Sequence, residues 1–126
     1  MKHLGNVLIC GAAYPVLEGN AGECEEMDGA NGVCLTGERQ IWLKEGMPAS
    51  KVNDILTHEV LHGINDGAGV IYATAAALGL HEDDPRLRAW EEVLVRILTP
   101  HITAAFGPAR LGLAPKKGAK RVKRTQ

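Results

Sequence analysis

The sequence predicts an α+β domain in which a small antiparallel sheet packs on two helices. Short apolar runs separated by turn residues occupy the first 44 positions, which is typical of strands and hairpins. Two later segments carry apolar residues three and four positions apart, which indicates amphipathic helices. A chain of 126 residues can enclose one hydrophobic core, so we expect a single domain over residues 1–108, followed by a tail over 109–126.

The first predicted strand pair lies near the start of the chain. Residues 7–10 and 13–17 are short apolar runs with a turn at Gly11 between them. The following residues 18–32 carry five acidic side chains and four glycines, and we expect a solvated loop there.

The second predicted strand pair is a hairpin. Residues 33–35 are apolar, and after a turn the chain returns as residues 39–44. In the returning segment Ile41 and Leu43 alternate with Trp42, so we expect one face of the strand to be buried.

The motif H-E-x-x-H occurs at His58, Glu59 and His62. On a helix, residues four apart differ by about 40° of rotation and roughly 6 Å of rise, so both imidazoles can hold one metal ion. Zinc suits two neutral imidazoles with a carboxylate as third ligand and an open position for water. Glu59 could then act as general base toward that water. The alternative is a chance occurrence of the pattern on an amphipathic helix.

The residues around the motif predict that it lies on a helix. Ser50 is a candidate N-cap, and apolar residues follow it at helical spacing. Gly63 and Gly67 are expected to weaken or end this helix.

Two more helices are predicted after the motif. Residues 70–78 are alanine-rich and are expected to form a short helix. A long helix should begin with Asp84 as N-cap and Pro85 in its first turn, and run to about residue 106. Pro100 is expected to kink it.

Four residues are candidates for the third metal ligand: Asp66, His81, Glu91 and Glu92. Glu91 is preferred, because it falls at the edge of the apolar face of the long helix, where a carboxylate without a partner is costly. Glu92 points away from that face and has Arg96 four residues later, a spacing typical of a surface ion pair. The apolar face is predicted to comprise Leu87, Trp90, Leu94, Ile97, Leu98 and His101.

Composition and charge limit the setting of the protein. No apolar run approaches the roughly 20 residues of a membrane span, and no secretory signal is visible, so we expect a cytoplasmic protein without membrane contact. The cysteines Cys10, Cys24 and Cys34 are odd in number, which favours free thiols over disulfides. Six of the 14 basic residues lie between Lys116 and Arg124, in a tail expected to be disordered and solubilising. Nucleic-acid contact through this tail is the alternative.

Residues 33–105 resemble the gluzincin metallopeptidases, and more closely the small zincin-like proteins encoded by bacteriophages and prophages. The resemblance is carried by residues 39–43 of the hairpin, residues 56–64 around the motif, and residues 91–98 of the long helix. It implies a minimal zincin-like fold, with Zn²⁺ bound by the two motif histidines and by a glutamate matching Glu91 or Glu92. It also implies that Glu59 is the general base.

Two features depart from the family pattern. Residues 70–80 lengthen the usual connection between the metal-binding helix and the glutamate helix. No residue is placed by the motif to stabilise an oxyanion, and Tyr72 and His101 are the candidates.

These observations predict a zinc-dependent metallopeptidase whose partner is a peptide or protein substrate. The substrate is expected to pair with residues 40–43 as an exposed sheet edge. The alternative function is a metal-stabilised binding module without turnover, acting on a host or phage protein.

Overall fold

The computed structural model describes residues 1–107 and has α+β architecture, which confirms the predicted class. The predicted domain boundary at residue 108 and the predicted tail, residues 109–126, lie outside the described residues. Residues 1–107 form four strands, a short 3-10 helix and three α-helices. In chain order these are β1 Lys2–Ile9, β2 Ala12–Gly19, the 3-10 helix Glu25–Met27, β3 Gly32–Leu35, β4 Gln40–Lys44, α1 Ala49–Gly67, α2 Val70–Leu78 and α3 Pro85–Phe106.

The sheet is mixed, with strand order β1-β2-β4-β3. Both predicted hairpins form, and each is antiparallel. The two hairpins join through β2 and β4, which run parallel, with Val16 opposite Ile41. Parallel neighbours need a crossover, and residues 20–31 together with β3 provide it. The expectation of a wholly antiparallel sheet was therefore wrong at this one pair of strands.

One face of the sheet packs on α1 and forms the main core. Side chains from three strands and from α1 are almost inaccessible there: Ile9, Val16, Ile41, Leu43 and Leu56. Because this core lies directly beneath α1, it fixes the position of the helix that carries the H-E-x-x-H motif.

The other face of the sheet is also covered, which the sequence did not predict. Trp42 is 7% exposed and packs with Leu17, Cys24 and Met27. The last two residues belong to the acidic segment, so that segment is not only a solvated loop. Successive side chains of β4 therefore enter two different apolar clusters, one on each face of the sheet, instead of alternating between a buried face and a solvent-exposed one.

Helix α1 begins at Ala49 and continues through Gly63 to Gly67. Ser50 lies inside the first turn and makes no capping hydrogen bond, contrary to prediction. Gly67 is the last residue of the helix, as predicted, whereas Gly63 lies in its interior, and at both the absence of a side chain permits close packing. A Cβ at Gly63 would lie 2.8 Å from Ile9 Cδ1, and one at Gly67 would lie 2.9 Å from Cys10 Sγ.

Helix α3 begins as predicted, with the Asp84 side chain accepting a hydrogen bond from the backbone N–H of Arg86. It continues through Pro100 to Phe106. Its rotation differs from the prediction, because Trp90 and Ile97 are 42% and 56% exposed. The buried residues recur every fourth position and are Leu87, Glu91, Val95 and Thr99.

None of the helices within residues 1–107 combines the length and apolar character required to cross a membrane.

Candidate metal centre

Helix α1 directs the two motif histidines at the same point. The rings of His58 and His62 meet edge to face, with centroids 4.8 Å apart. Their Nε2 atoms are 3.1 Å apart. The helix positions both rings because the histidines are separated by four residues and therefore lie one above the other on its surface.

Glu92 on α3 brings its carboxylate to the same point. Its Oε1 lies 3.2 Å from His58 Nε2, and its Oε2 lies 2.8 Å from His62 Nε2. The three residues form a group able to hold a metal ion. A tetrahedral ion with bonds of about 2.0–2.1 Å separates its ligand atoms by roughly 3.3 Å, so the three side chains lie close enough together to share one metal ion.

Glu91 does not belong to that group. Its Oε2 lies 2.5 Å from the other ring nitrogen of His62, Nδ1. The residue is 3% exposed, and Asn65 Nδ2 donates to the same oxygen at 3.3 Å. The geometry therefore groups Glu92, rather than the predicted Glu91, with the two histidines. Glu91 is buried against the opposite side of the His62 ring.

The two glutamates can flank one imidazole because consecutive helix residues project about 100° apart. His62 lies between them, with Nδ1 toward Glu91 and Nε2 toward Glu92. Arg96 Nε donates to Glu92 Oε1 at 3.1 Å, so the predicted ion pair forms. The Glu92 carboxylate thus contacts Arg96 and both histidines at the same time.

Glu59 is buried beside the histidines and is 7% exposed. Burial raises the pKa of its carboxyl group to about 7, although the charge of His62 and a hydrogen bond from the Cys34 backbone N–H act in the opposite direction. A carboxyl group with a pKa near neutrality can exchange a proton in both directions at physiological pH.

The edge of the sheet approaches Glu59 through a glycine. A Cβ added at Gly32 would lie 2.6 Å from Ile55 Cγ2 and 3.3 Å from Glu59 Cγ. Since a real Cβ essentially never comes within 3.0 Å of another heavy atom, only glycine fits here without movement of Ile55. The absence of a side chain at Gly32 thus lets β3 lie directly against the motif helix.

The charges of the other site residues suit cation binding. Burial, together with repulsion from His62, lowers the pKa of His58, so the ring favours the neutral form that binds metals. Burial raises the pKa of Glu92, but the hydrogen bond from Arg96 and the nearby histidines outweigh it and leave the value lowered. Glu92 is therefore ionised at neutral pH.

A polar cleft of about 340 Å³ opens beside these residues. One wall is the chain from Gly29 to Gly32, and the other is formed by helix residues. The helix residues that line it are Ile55, His58, Glu59, Glu92 and Arg96. The candidate site is therefore open to a ligand from the side that carries Glu59.

The remaining sequence candidates lie elsewhere. His81 is in a loop, with its side chain 76% exposed. Asp66 is bound to Arg88 Nη1 at 2.8 Å and to Thr36 Oγ1 at 2.9 Å. Tyr72, which is 62% exposed, and the exposed His101 are not among the residues that line the cleft.

Sequence reasoning missed two residues that support the site, Asn65 and Arg88. Arg88 Nη1 lies 3.6 Å from Glu91 Oε1, one helical turn before it. Asn65 follows His62 by three residues. Residues three positions apart are neighbours on a helix face, as Arg88 is to Glu91 and Asn65 is to His62. These spacings could have indicated the contacts only once Glu91 was known to face α1.

Comparison with family models, with curated proteins and with solved structures finds no match for this chain. The resemblance to gluzincins stays a prediction from the sequence motifs.

Proposed function

We propose that this protein is a zinc-dependent metallopeptidase. The observation that carries the proposal is the convergence of His58 Nε2, His62 Nε2 and the Glu92 carboxylate at separations of 2.8–3.2 Å. Two imidazoles and one carboxylate with a free fourth position are the ligand set of catalytic zinc sites in peptidases. Glu59 adds a carboxylate that is not part of this set but lies in the same cleft.

In the proposed reaction, different residues of this chain have different roles. A bound zinc ion would supply a Lewis acid that polarises a carbonyl group and acidifies water. Glu59 accepts a proton from the attacking water and passes it to the amine that leaves when the peptide bond breaks. Arg96, the one cationic side chain among the described residues lining the cleft, is positioned to bind developing negative charge.

The proposed substrate path runs along β3 rather than β4. Strand β4 is paired on both sides, by β2 and β3, so the prediction that residues 40–43 form a free edge was wrong. Lys44 N–H donates to Asn31 O, so the alternation of an antiparallel pair directs the polar groups of Gly32 and Cys34 away from β4. The Cys34 N–H donates to Glu59, which leaves the groups of Gly32 for a peptide. Gly32 also lines the cleft, and an extended peptide could pair there beside Glu59.

A second candidate function is a metal-stabilised binding module without turnover. It is favoured by the absence of any tyrosine, and of any histidine besides His58, from the described residues that line the cleft. Such a module would use the same three ligands but would hold a host or phage protein without cleaving it.

The test combines metal analysis with one conservative variant. Purified protein should contain about one zinc per chain, lose it to a chelator and regain it on addition. Wild-type protein should cleave members of a broad peptide library detected by mass spectrometry. Glu59→Gln should keep the zinc but lose cleavage, since an amide cannot accept the proton. The exposed Glu82→Gln is the matched control and should behave as wild type.

The outcomes separate the two functions. Protein that neither contains nor takes up a divalent metal would contradict both. Zinc binding without cleavage of any peptide, together with tight binding of one protein partner, would favour the binding module. Cleavage that is unchanged in Glu59→Gln would overturn the proposed role of that residue.

A further inference from the structure

Glu91 is a buried carboxylate to which the proposed reaction assigns no step. It is 3% exposed and lies on α3 directly before the proposed ligand. We infer that Glu91 is a positioning residue, which holds the proton of His62 on Nδ1 and so keeps Nε2 free to bind a metal. This inference rests on the proposed function, because it concerns the same metal site.

The contacts of Glu91 show its carboxyl oxygens facing hydrogen-bond donors. Asn65 Nδ2 donates to Oε2 at 3.3 Å, and Arg88 Nη1 lies 3.6 Å from Oε1. Three nitrogen groups, including the His62 ring, therefore face this carboxylate. Because Oε2 already accepts from Asn65 and lies closest to the ring at Nδ1, the structure makes Nδ1 the donor in this contact.

The contact with His62 determines which nitrogen is available. Glu91 Oε2 lies 2.5 Å from Nδ1. A neutral imidazole carries one proton, so donation from Nδ1 leaves the lone pair on Nε2. That nitrogen points toward His58 Nε2 at 3.1 Å and toward Glu92 Oε2 at 2.8 Å. The adjacent glutamates thus have different roles on one ring, with Glu91 fixing the tautomer and Glu92 sharing the metal.

The carboxylate is itself held in place by contacts between three parts of the fold. Arg88 on α3 bonds Asp66 on α1 at 2.8 Å, and Asp66 accepts from Thr36 in the turn between β3 and β4 at 2.9 Å. Since Arg88 also approaches Glu91, the same cation joins this network to the metal site. The orientation of His62 is therefore coupled to the packing of α3 on α1.

A purely structural role for Glu91 makes a different prediction. If the carboxylate only balanced Arg88 in the protein interior, its removal would lower stability without selecting a tautomer. A measurement that distinguishes the two roles must therefore report the position of the proton on the His62 ring, and not only the stability of the fold.

The experiment uses the full chain with ¹⁵N-labelled histidine. Long-range proton–nitrogen NMR of metal-free wild type, recorded at a pH where the spectrum itself shows a neutral ring, should show the His62 proton on Nδ1. Glu91→Gln retains an acceptor oxygen and should keep this tautomer, with zinc affinity close to that of wild type. Glu91→Ala should lose the tautomer preference and bind zinc about 10–100-fold more weakly, as typical for loss of an outer-shell partner. Glu82→Ala, at an exposed site, is the control.

Each outcome decides the inference. A His62 proton on Nε2 in metal-free wild type would overturn it without any variant. Folded Glu91→Ala with wild-type tautomer and zinc affinity would overturn it as well. If Glu91→Ala does not fold, the wild-type tautomer and its retention in Glu91→Gln still decide. If wild type binds no zinc, the proposed function fails, whereas the tautomer measurement remains a separate result.

Discussion

Replacing Glu59 by glutamine should stabilise the metal-free protein at neutral pH although it removes the proposed general base. Glu59 is 7% exposed, and burial raises the pKa of its carboxyl group from 4.5 to about 7. Above that pH the folded protein must hold a buried negative charge. Glutamine has almost the same shape and can still accept from the Cys34 backbone N–H, but it carries no charge.

The sign of the effect follows from proton binding. Between pH 4.5 and about 7 the folded protein retains a proton on Glu59 that the unfolded chain has lost. The free energy of unfolding therefore decreases as pH rises through this window and then levels off. At about 1.4 kcal/mol per pH unit, the difference between 4.5 and about 7 corresponds to about 3 kcal/mol. Glu59→Gln lacks this dependence, so it should gain up to about 3 kcal/mol relative to wild type.

Urea unfolding with a chelator present, at several values from pH 4 to pH 8, measures this difference. The stability gap between Glu59→Gln and wild type should widen as pH rises, and the gap for the exposed Glu82→Gln should remain constant. A Glu59→Gln gap that does not change with pH would refute the reasoning, since it would mean that the folded protein does not perturb this carboxyl group.

Two other variants test the ligand assignment and the packing of α1. Glu92→Gln should weaken zinc binding by more than the roughly 10–100-fold typical of outer-shell partners, because it replaces a charged ligand by a neutral amide. Competition with a chelator measures the zinc affinity, and an unchanged affinity would contradict the assignment of Glu92 as a ligand. Gly63→Ala should destabilise the protein by up to about 2 kcal/mol in urea unfolding, because crowding of the new Cβ against Ile9 Cδ1 at 2.8 Å and Cys34 Sγ at 3.2 Å costs about 1–3 kcal/mol and the higher helix propensity of alanine offsets about 1 kcal/mol of it; Gly37→Ala, where a Cβ meets no atom within 4 Å, is the control for packing.

Local sequence signals predicted most of the helices and strands. The start of α3 at Asp84–Pro85 was correct because a capping side chain and the preferred φ of proline act within a few residues. The hairpin of β3 and β4 was correct because its turn and apolar runs are contiguous. The position of the motif on one face of α1 followed from helix geometry alone.

Structural features that depend on contacts between distant parts of the chain could not be predicted in the same way. The parallel pairing of β2 with β4 joins segments separated by more than 20 residues, and no local pattern specifies it. The burial of Trp42 depends on Cys24 and Met27 folding over the second face of the sheet. Gly63 looked like a helix end because the close approach of Ile9 cannot be read from the helix sequence.

Burial alone does not decide between Glu91 and Glu92 as the proposed ligand. A catalytic metal keeps an open position toward a cleft that water and substrate can enter, so part of its ligand set borders that cleft. Glu92 lines the cleft and its side chain is 39% exposed, whereas the side chain of Glu91 is 4% exposed and is not among the residues that line it. A carboxylate that only orients a ligand has no such need, and burial strengthens its hydrogen bond. The more deeply buried of two adjacent glutamates is therefore the better candidate for positioning the histidine, and the one beside the cleft is the better candidate for binding the metal.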